Sequence, residues 1–409
     1  VGTLEAQQFS TTTKLVGQTT MVVGANSFSA SEDDVADAAA GLSGATVFNY
    51  DLRLDLNTSF TGEDLLKTRL RAGNFGDSPY GGGGAVGLDA MEVAFGESGN
   101  PDVVKVDRLW YQFPLGDDFT VTAGAKVRQD DMLAVWPSAY PADTVLDFFT
   151  YAGAPGAYSL TLGGGGGIWW ENDGGLSISA SYVSANAQNG NPNRSDDLTA
   201  ATGGIGSDAA ASNGTAQIAY VADQWGLAAA YSYTSGDNGA GIYPGNATPS
   251  AGLLSTYGTN NNYGVSAWWS PDESGWIPSF STGWGLSTLS PNDDNDDVIE
   301  NATSQSWYVG LQWEDAFVEG NVLGMAVGQP TFVTNVDYDD DVADDDTFTA
   351  DGNYAFEWWY KFQVTDNISV TPAIYYLSRP LGHLTNGATG KGDETFSNLG
   401  ALVKSTFKF

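Results

Sequence analysis

The chain has no cysteine, a single histidine (His383) and only 15 Lys+Arg against 50 Asp+Glu, a formal net charge of −35. Zero Cys excludes a disulfide scaffold, a thiolate metal site and Cys-based catalysis, and leaves the compartment open. The shortage of basic residues excludes a nucleic-acid binder, which needs clustered positive surface for phosphates. No apolar run approaches the ~18–20 residues of a transmembrane helix. The N-terminus (Val1-Gly2-Thr3) has no basic or apolar leader, so any signal peptide lies outside this numbering. What is present contradicts the charge. Disordered acidic chains are poor in aromatics, and this one carries 13 Trp, 19 Tyr and 19 Phe.

Period-two alternation runs from end to end, with no convincing helical period. In 47–57, Phe48, Tyr50, Leu52, Leu54 and Leu56 share one face, and Asn49, Asp51, Arg53, Asp55 and Asn57 the other. In 353–363, Tyr354, Phe356, Trp358, Tyr360 and Phe362 oppose Asn353, Glu357, Lys361 and Gln363. The apolar faces are long, aromatic and free of charge; the polar faces are small and hydrophilic. A soluble sandwich would scatter long charged side chains outside. This pattern fits lipid on one face and a wet lumen on the other.

Short turns alternate with long polar segments. The predicted strands are 11–26, 44–59, 64–76, 103–114, 118–128, 161–171, 175–187, 213–222, 225–236, 258–270, 276–289, 303–314, 318–329, 352–364, 367–379 and 394–409. The strand-like stretch 86–95 would make seventeen and put later loops on the wrong side, so it is taken as an excursion within the second long loop. The result is an all-β fold: a transmembrane antiparallel β-barrel of 16 strands with long outer loops and short periplasmic turns. Residues 1–10 lead in from the periplasm and 11–409 form the barrel, as one domain. Sixteen strands leave an aqueous channel where eight would fill with side chains.

The last strand, Ala401 to Phe409, alternates and stops at an aromatic, which resembles the assembly signal of bacterial outer-membrane proteins. The segments Leu4–Leu15, Val47–Leu56 and Thr61–Leu70 resemble cyanobacterial outer-membrane porins, the Som-type proteins. These are similar to carbohydrate-selective porins of the OprB type and are also known as iron-uptake porins. The resemblance implies a homotrimer in the outer membrane, in contact with lipid bilayer and lipopolysaccharide, with the second loop (77–102) a candidate latch onto a neighbour. It also implies a missing N-terminal S-layer-homology domain that would grip cell-wall polysaccharide.

Nine of the fifteen basic residues precede residue 129. Lys67, Arg69 and Arg71 share a face by spacing, as do Lys126 and Arg128, and Arg53 points the same way. With Lys105 and Arg108 they form an expected basic ladder on the lumen wall. The third loop (129–160) follows, carrying Asp130, Asp131, Asp143 and Asp147. The likeness to general porins implies that it folds into the barrel and sets its acids across the opening from the ladder. Opposed charges across a narrow gap would sort solutes by size and charge.

Two acidic runs, Asp293, Asp294, Asp296, Asp297 and Asp337, Asp339, Asp340, Asp341, Asp344, Asp345, Asp346, are expected in the outer vestibule. They fit a solvated, repulsive rim; weak Ca²⁺ or Mg²⁺ binding is the other reading, although the ligand spacing of a Ca²⁺ loop is missing. No cofactor is expected. The runs Gly81–Gly84 and Gly163–Gly167 lack the Lys-Ser/Thr of a phosphate loop. Trp169-Trp170, Trp268-Trp269 and Trp358-Trp359 each present one indole outward to an interfacial girdle; the inward members could stack on sugars. The expected function is passive diffusion of inorganic ions and small solutes, without catalysis. A pore selective for carbohydrates or iron species is the alternative, and a secreted all-β carbohydrate-binding protein or glycosidase the remote one.

Overall fold

A computed structural model describes residues 12–96, 100–140, 145–193, 201–273, 275–293, 296, 298–339, 351–385 and 395–409. The strands are β1 Thr13–Ala30, β2 Val47–Thr58, β3 Leu65–Gly73, β4 Lys105–Leu115, β5 Phe119–Arg128, β6 Leu162–Glu171, β7 Leu176–Ser184, β8 Ser212–Val221, β9 Trp225–Ser235, β10 Gly258–Trp269, β11 Ser279–Pro291, β12 Ile299–Glu314, β13 Val322–Tyr338, β14 Tyr354–Thr365, β15 Ile368–Ser378 and β16 Phe396–Lys408. Each pairs antiparallel with its sequence neighbours, and β1 pairs with β16 from Gln18↔Lys408 to Ala30↔Phe396, closing a barrel of sixteen. Closure leaves no edge strand, as a lipid environment requires.

The alternation sorts the faces. On β1, Leu15, Met21 and Val23 are exposed on the outer face, while Thr20 and Val22 are buried inside. The same division continues through Ile218 and Tyr220 on β8, Leu227, Tyr231 and Tyr233 on β9, and Leu399 and Val403 on β16, all outward. Aromatic side chains meet at the short-turn end: Phe60 against Tyr111, Tyr220 against Trp225, and Phe317 against Tyr360. The backbone of Phe409 exchanges two hydrogen bonds with Gly17, and its ring occupies the space a Cβ on Gly17 would need.

Residues 86–95 make no wall strand, in line with the sixteen-strand reading. Other expectations need correction. A helix, α1 (Asp33–Ser43), lies in the first loop, and a short one, α2 (Pro249–Leu254), in the fifth. Asp33 and Asp34 sit in the first turn of α1, where negative charge is favourable, and an alanine run follows. β13 extends to Tyr338, so Asp337 is a strand residue and not part of a loop.

The second long loop (77–102) is the candidate latch onto a neighbour. Instead it turns into the barrel. Phe75, Tyr80, Val86, Leu88, Met91 and Val93 join Val145, Leu146, Phe148 and Phe149 of the third loop in one buried cluster with Trp359, Tyr375 and Leu402 of the wall. Each large side chain so covered contributes roughly 1.5–3 kcal/mol. Asp89 fastens the second loop to the wall, accepting hydrogen bonds from Asn26 on β1 (2.9 Å) and Asn398 on β16 (3.3 Å).

Candidate pore constriction

The inward face of β2–β5 is dense in charge. Arg71 donates two hydrogen bonds to Asp51 (2.8 and 2.9 Å), and Arg53 reaches the same carboxylate at 2.7 Å. Arg69 grips Asp55 at 2.7 and 3.0 Å, with Lys67 on the same acid at 3.3 Å. Arg108 donates to Asp107 (3.0 Å) and Asp131 (2.9 Å), and Arg128 to both oxygens of Asp130 (2.5 Å each). Six basic side chains therefore share five carboxylates. The register explains the pairs: Asp51 lies two residues from Arg53, which stands opposite Arg71, and Asp55 stands opposite Arg69. Lys105 faces Arg71 across β3 and β4 on the same side of the sheet.

Two placements differ from the sequence reading. Asp130 and Asp131 do not face the ladder across an opening. They form the first turn of the third loop, a 3₁₀ turn over Gln129–Met132, and pair with the adjacent Arg128 and Arg108. Lys126 does not share the inward face with Arg128. β5 slips register on both sides here; Lys126 pairs with the outward-exposed Leu109, and Val127 is buried inside with Trp110 and Met132. A bulge inserts an extra residue and so breaks strict alternation.

The third loop (129–161) runs along the inner wall from β6 to β14 and returns. Ala134 N donates to Ser179 on β7 and Ala139 N to Ser281 on β11. At the far point, Glu357 of β14, 1% exposed, accepts from Tyr140 Oη (2.6 Å) and Leu146 N (2.9 Å). Trp359 Nε1 donates to the same Tyr140 oxygen at 2.7 Å. The inward member of this tryptophan pair is thus buried beneath the loop and not presented to solute. On the return, Gln129 Nε2 donates to Ala157 O and Thr215 Oγ1, tying the loop's base to β8.

The second, third and fifth loops meet in the lumen. Asp147 N donates to Ala90 O at 2.9 Å and Glu92 N to Val145 O at 3.4 Å, while Met91 and Leu146 form a bridge. Asn246 of the fifth loop donates to Asp147 Oδ2 at 2.7 Å. The Glu92 and Asp147 side chains lie within hydrogen-bonding reach of each other. Burial, then the neighbouring Asp147 charge, pushes the Glu92 carboxyl up to about 8. Burial likewise raises Asp147, and burial followed by the Asp147 charge raises Tyr151.

Between these loops and the wall lies a cavity of about 440 Å³, lined by Arg71, Asp107, Arg108 and Arg128 on one side and Glu92, Asp147, Tyr151 and Tyr243 on the other. Arg71 stacks 4.6 Å from the Phe95 ring centroid. Of the four expected loop acids, Asp147 alone is brought opposite the arginines; Asp143 lies outside the described residues. Sequence reasoning missed Glu92. Its signal was the apolar segment around it, Val86, Leu88, Met91 and Val93, too hydrophobic to sit on an outer loop in water.

Asp293 and Asp296 are exposed and Asp339 is half-buried beside Val298. Asp294, Asp297, Asp340, Asp341, Asp344, Asp345 and Asp346 lie outside the described residues. Among the described residues no three His, Asp or Glu converge as a metal site. His383 is half-buried, not exposed, and its N–H donates to Asp351 at 2.7 Å.

Known proteins agree with this architecture. The chain is similar, at 29% identity, to an uncharacterized protein of Nostoc, over 99% of this chain and 67% of that one. The same identity links it to an uncharacterized protein of Synechocystis, over 94% and 68%. Among solved structures it resembles Pseudomonas putida OprB (TM-score 0.59, 12% identity, 100% of this chain and 97% of that one). It also resembles the anion-selective porin from Comamonas acidovorans (0.55, 12%, 97% and 99%). At such identities these structures speak for the fold alone. The family model described as "Carbohydrate-selective porin, OprB family" matches residues 1–401. The closed barrel, the loops turned into its lumen and this match place the chain in the OprB porin family: it is a porin of the outer membrane, a channel and not an enzyme.

Proposed function

We propose that inorganic ions and small hydrophilic solutes diffuse passively through this barrel and are sieved between the loop carboxyls and the arginine wall. The carrying observation is one cavity with Arg71, Arg108 and Arg128 on one side and Glu92 and Asp147 on the other. Fixed charges of opposite sign across a narrow aqueous gap orient water and polar solutes, and they act on each passing ion at short range. The acidic residues of the outer loops would concentrate cations at the mouth, more strongly at low salt. Trimeric assembly and contact with lipopolysaccharide belong to the same proposal. One structural relative, Vibrio cholerae OmpT (TM-score 0.54, 11% identity, 97% of this chain and 99% of that one), is described in a trimer form.

A second reading, passage of carbohydrates, has support in the Arg71–Phe95 stack, in Tyr151 and Tyr243 beside the cavity, and in the family description. Aromatic faces and charged hydrogen-bonding groups together suit a sugar ring. No ligand set for iron is apparent among the described residues.

Planar-bilayer recording separates these readings. Ohmic channels from folded, detergent-extracted protein are expected, and their absence would sink the pore. In a salt gradient, the Lys67→Gln/Arg69→Gln/Arg71→Gln triple variant should move the reversal potential toward cations. Saturable current block by millimolar sugar would favour the carbohydrate reading over general diffusion.

A further inference from the structure

The charges around the cavity are not equivalent. Each lining arginine already has a carboxylate in contact: Arg71 has Asp51, which Arg53 shares, Arg108 has Asp107 and Asp131, and Arg128 has Asp130. Such contacts weaken the arginines' field at a distance, because opposite charges in contact leave mainly a short-range dipole. Among the described residues, Glu92 and Asp147 have no such partner within ion-pair distance; their contacts are each other, Asn246, Tyr151 and backbone. The carboxyls at this level of the lumen without a guanidinium in contact are therefore those of the loop pair.

We propose that Glu92 and Asp147 together set the pH dependence of the pore's ion selectivity, acting as a pair that shares one proton near neutrality and gives it up in alkaline solution. The inference rests on the porin reading and on this cavity being the passage. Two half-buried carboxyls in contact cannot both ionise readily, since the second charge must form beside the first. The groups that face the pair are Arg53 from β2, Arg71 from β3, Asp107 and Arg108 from β4, Arg128 from β5, Tyr151 from the third loop and Tyr243 from the fifth. The wall guanidiniums stay charged throughout the accessible range. The Tyr151 hydroxyl is raised by burial, so it stays neutral while the pair titrates. The titrating event is thus loss of the shared proton to lumen water, consistent with Glu92 at about 8.

The test is the reversal potential of the intact protein in a KCl gradient, recorded from about pH 6 to about pH 9.5. For the wild type the K⁺/Cl⁻ permeability ratio should rise roughly threefold or more across this interval, with a midpoint near Glu92's value of about 8. Glu92→Gln leaves Asp147 as a single ionised group, and its ratio should stay flat at the wild-type neutral level. Asp147→Asn leaves Glu92 raised by burial, so its alkaline rise should persist with the midpoint moved to lower pH. A flat wild-type profile from conducting channels would overturn the inference and leave the porin reading intact. So would an alkaline rise that survives in Glu92→Gln, or one whose midpoint in Asp147→Asn matches the wild type. Absence of conduction from folded protein would overturn both.

Discussion

The two sides of the lumen are built from different residues. From β2 to β5 the inward face carries Asp51, Arg53, Asp55, Lys67, Arg69, Arg71, Asp107, Arg108 and Arg128. From β8 to β13 it carries mainly Ser, Thr, Asn, Gln, Ala and Gly. A Cβ on Gly283 would lie 1.8 Å from the Ala152 carbonyl, and one on Gly310 would lie 2.5 Å from the Tyr140 ring. The difference records what each wall faces. Long charged side chains need water and one another; small ones admit a polypeptide backbone. The small polar face, which first reads as the lining of a wet channel, is on this side the dry seat of the third loop. On the proposed reading the aqueous path runs on the charged side.

This contrast can be broken from either wall. The largest effect is expected from Glu357→Leu, which strips Tyr140 and Leu146 of their shared acceptor under the loop. Unsatisfied buried donors cost about 1–3 kcal/mol each, so heat-modifiable migration should shift to markedly lower temperature. Single-channel conductance should rise as the loop detaches; unchanged values in both assays would refute the anchor. On the charged wall, Arg71→Met leaves Asp51 with Arg53 alone. We expect a loss of roughly 2 kcal/mol in denaturant unfolding and a shift toward cations. Gly283→Val should cost about 1–2 kcal/mol through overpacking against Ala152, with little change in ion preference. The smallest effect sharpens the boundary of the wall. Lys126→Gln, on the outer face, should leave the reversal potential unchanged, whereas Arg128→Gln should move it; equal shifts would mean that the β5 bulge is misplaced.

Much of the barrel was legible because period two is a local property. Phe48, Tyr50, Leu52, Leu54 and Leu56 declare their face without knowledge of any partner. The ion pairs were half legible: Asp51, Arg53 and Asp55 already shared a face in the alternation, but pairing with Arg71 and Arg69 depends on the register of β2 against β3. Lys126 was misread because a bulge leaves no residue-type signature, and one extra residue reverses every face beyond it. The lumen side of the loops was least legible. Nothing local tells Glu92 that Asp147, on another loop, lies beside it. The hydrophobicity of Val86, Leu88, Met91 and Val93 did carry that information, because an apolar segment inside a polar loop must be covered by something.

The absence of cysteine supplies the most direct test of the central claim, that solutes pass between the loop carboxyls and the arginine wall. In Asp147→Cys the new thiol is the only one in the chain. A cationic methanethiosulfonate applied to open channels should react there, with stepwise loss of conductance and a reversal potential moved toward anions. Channels that carry the label at residue 147, confirmed by mass, yet conduct and select as before would contradict the account.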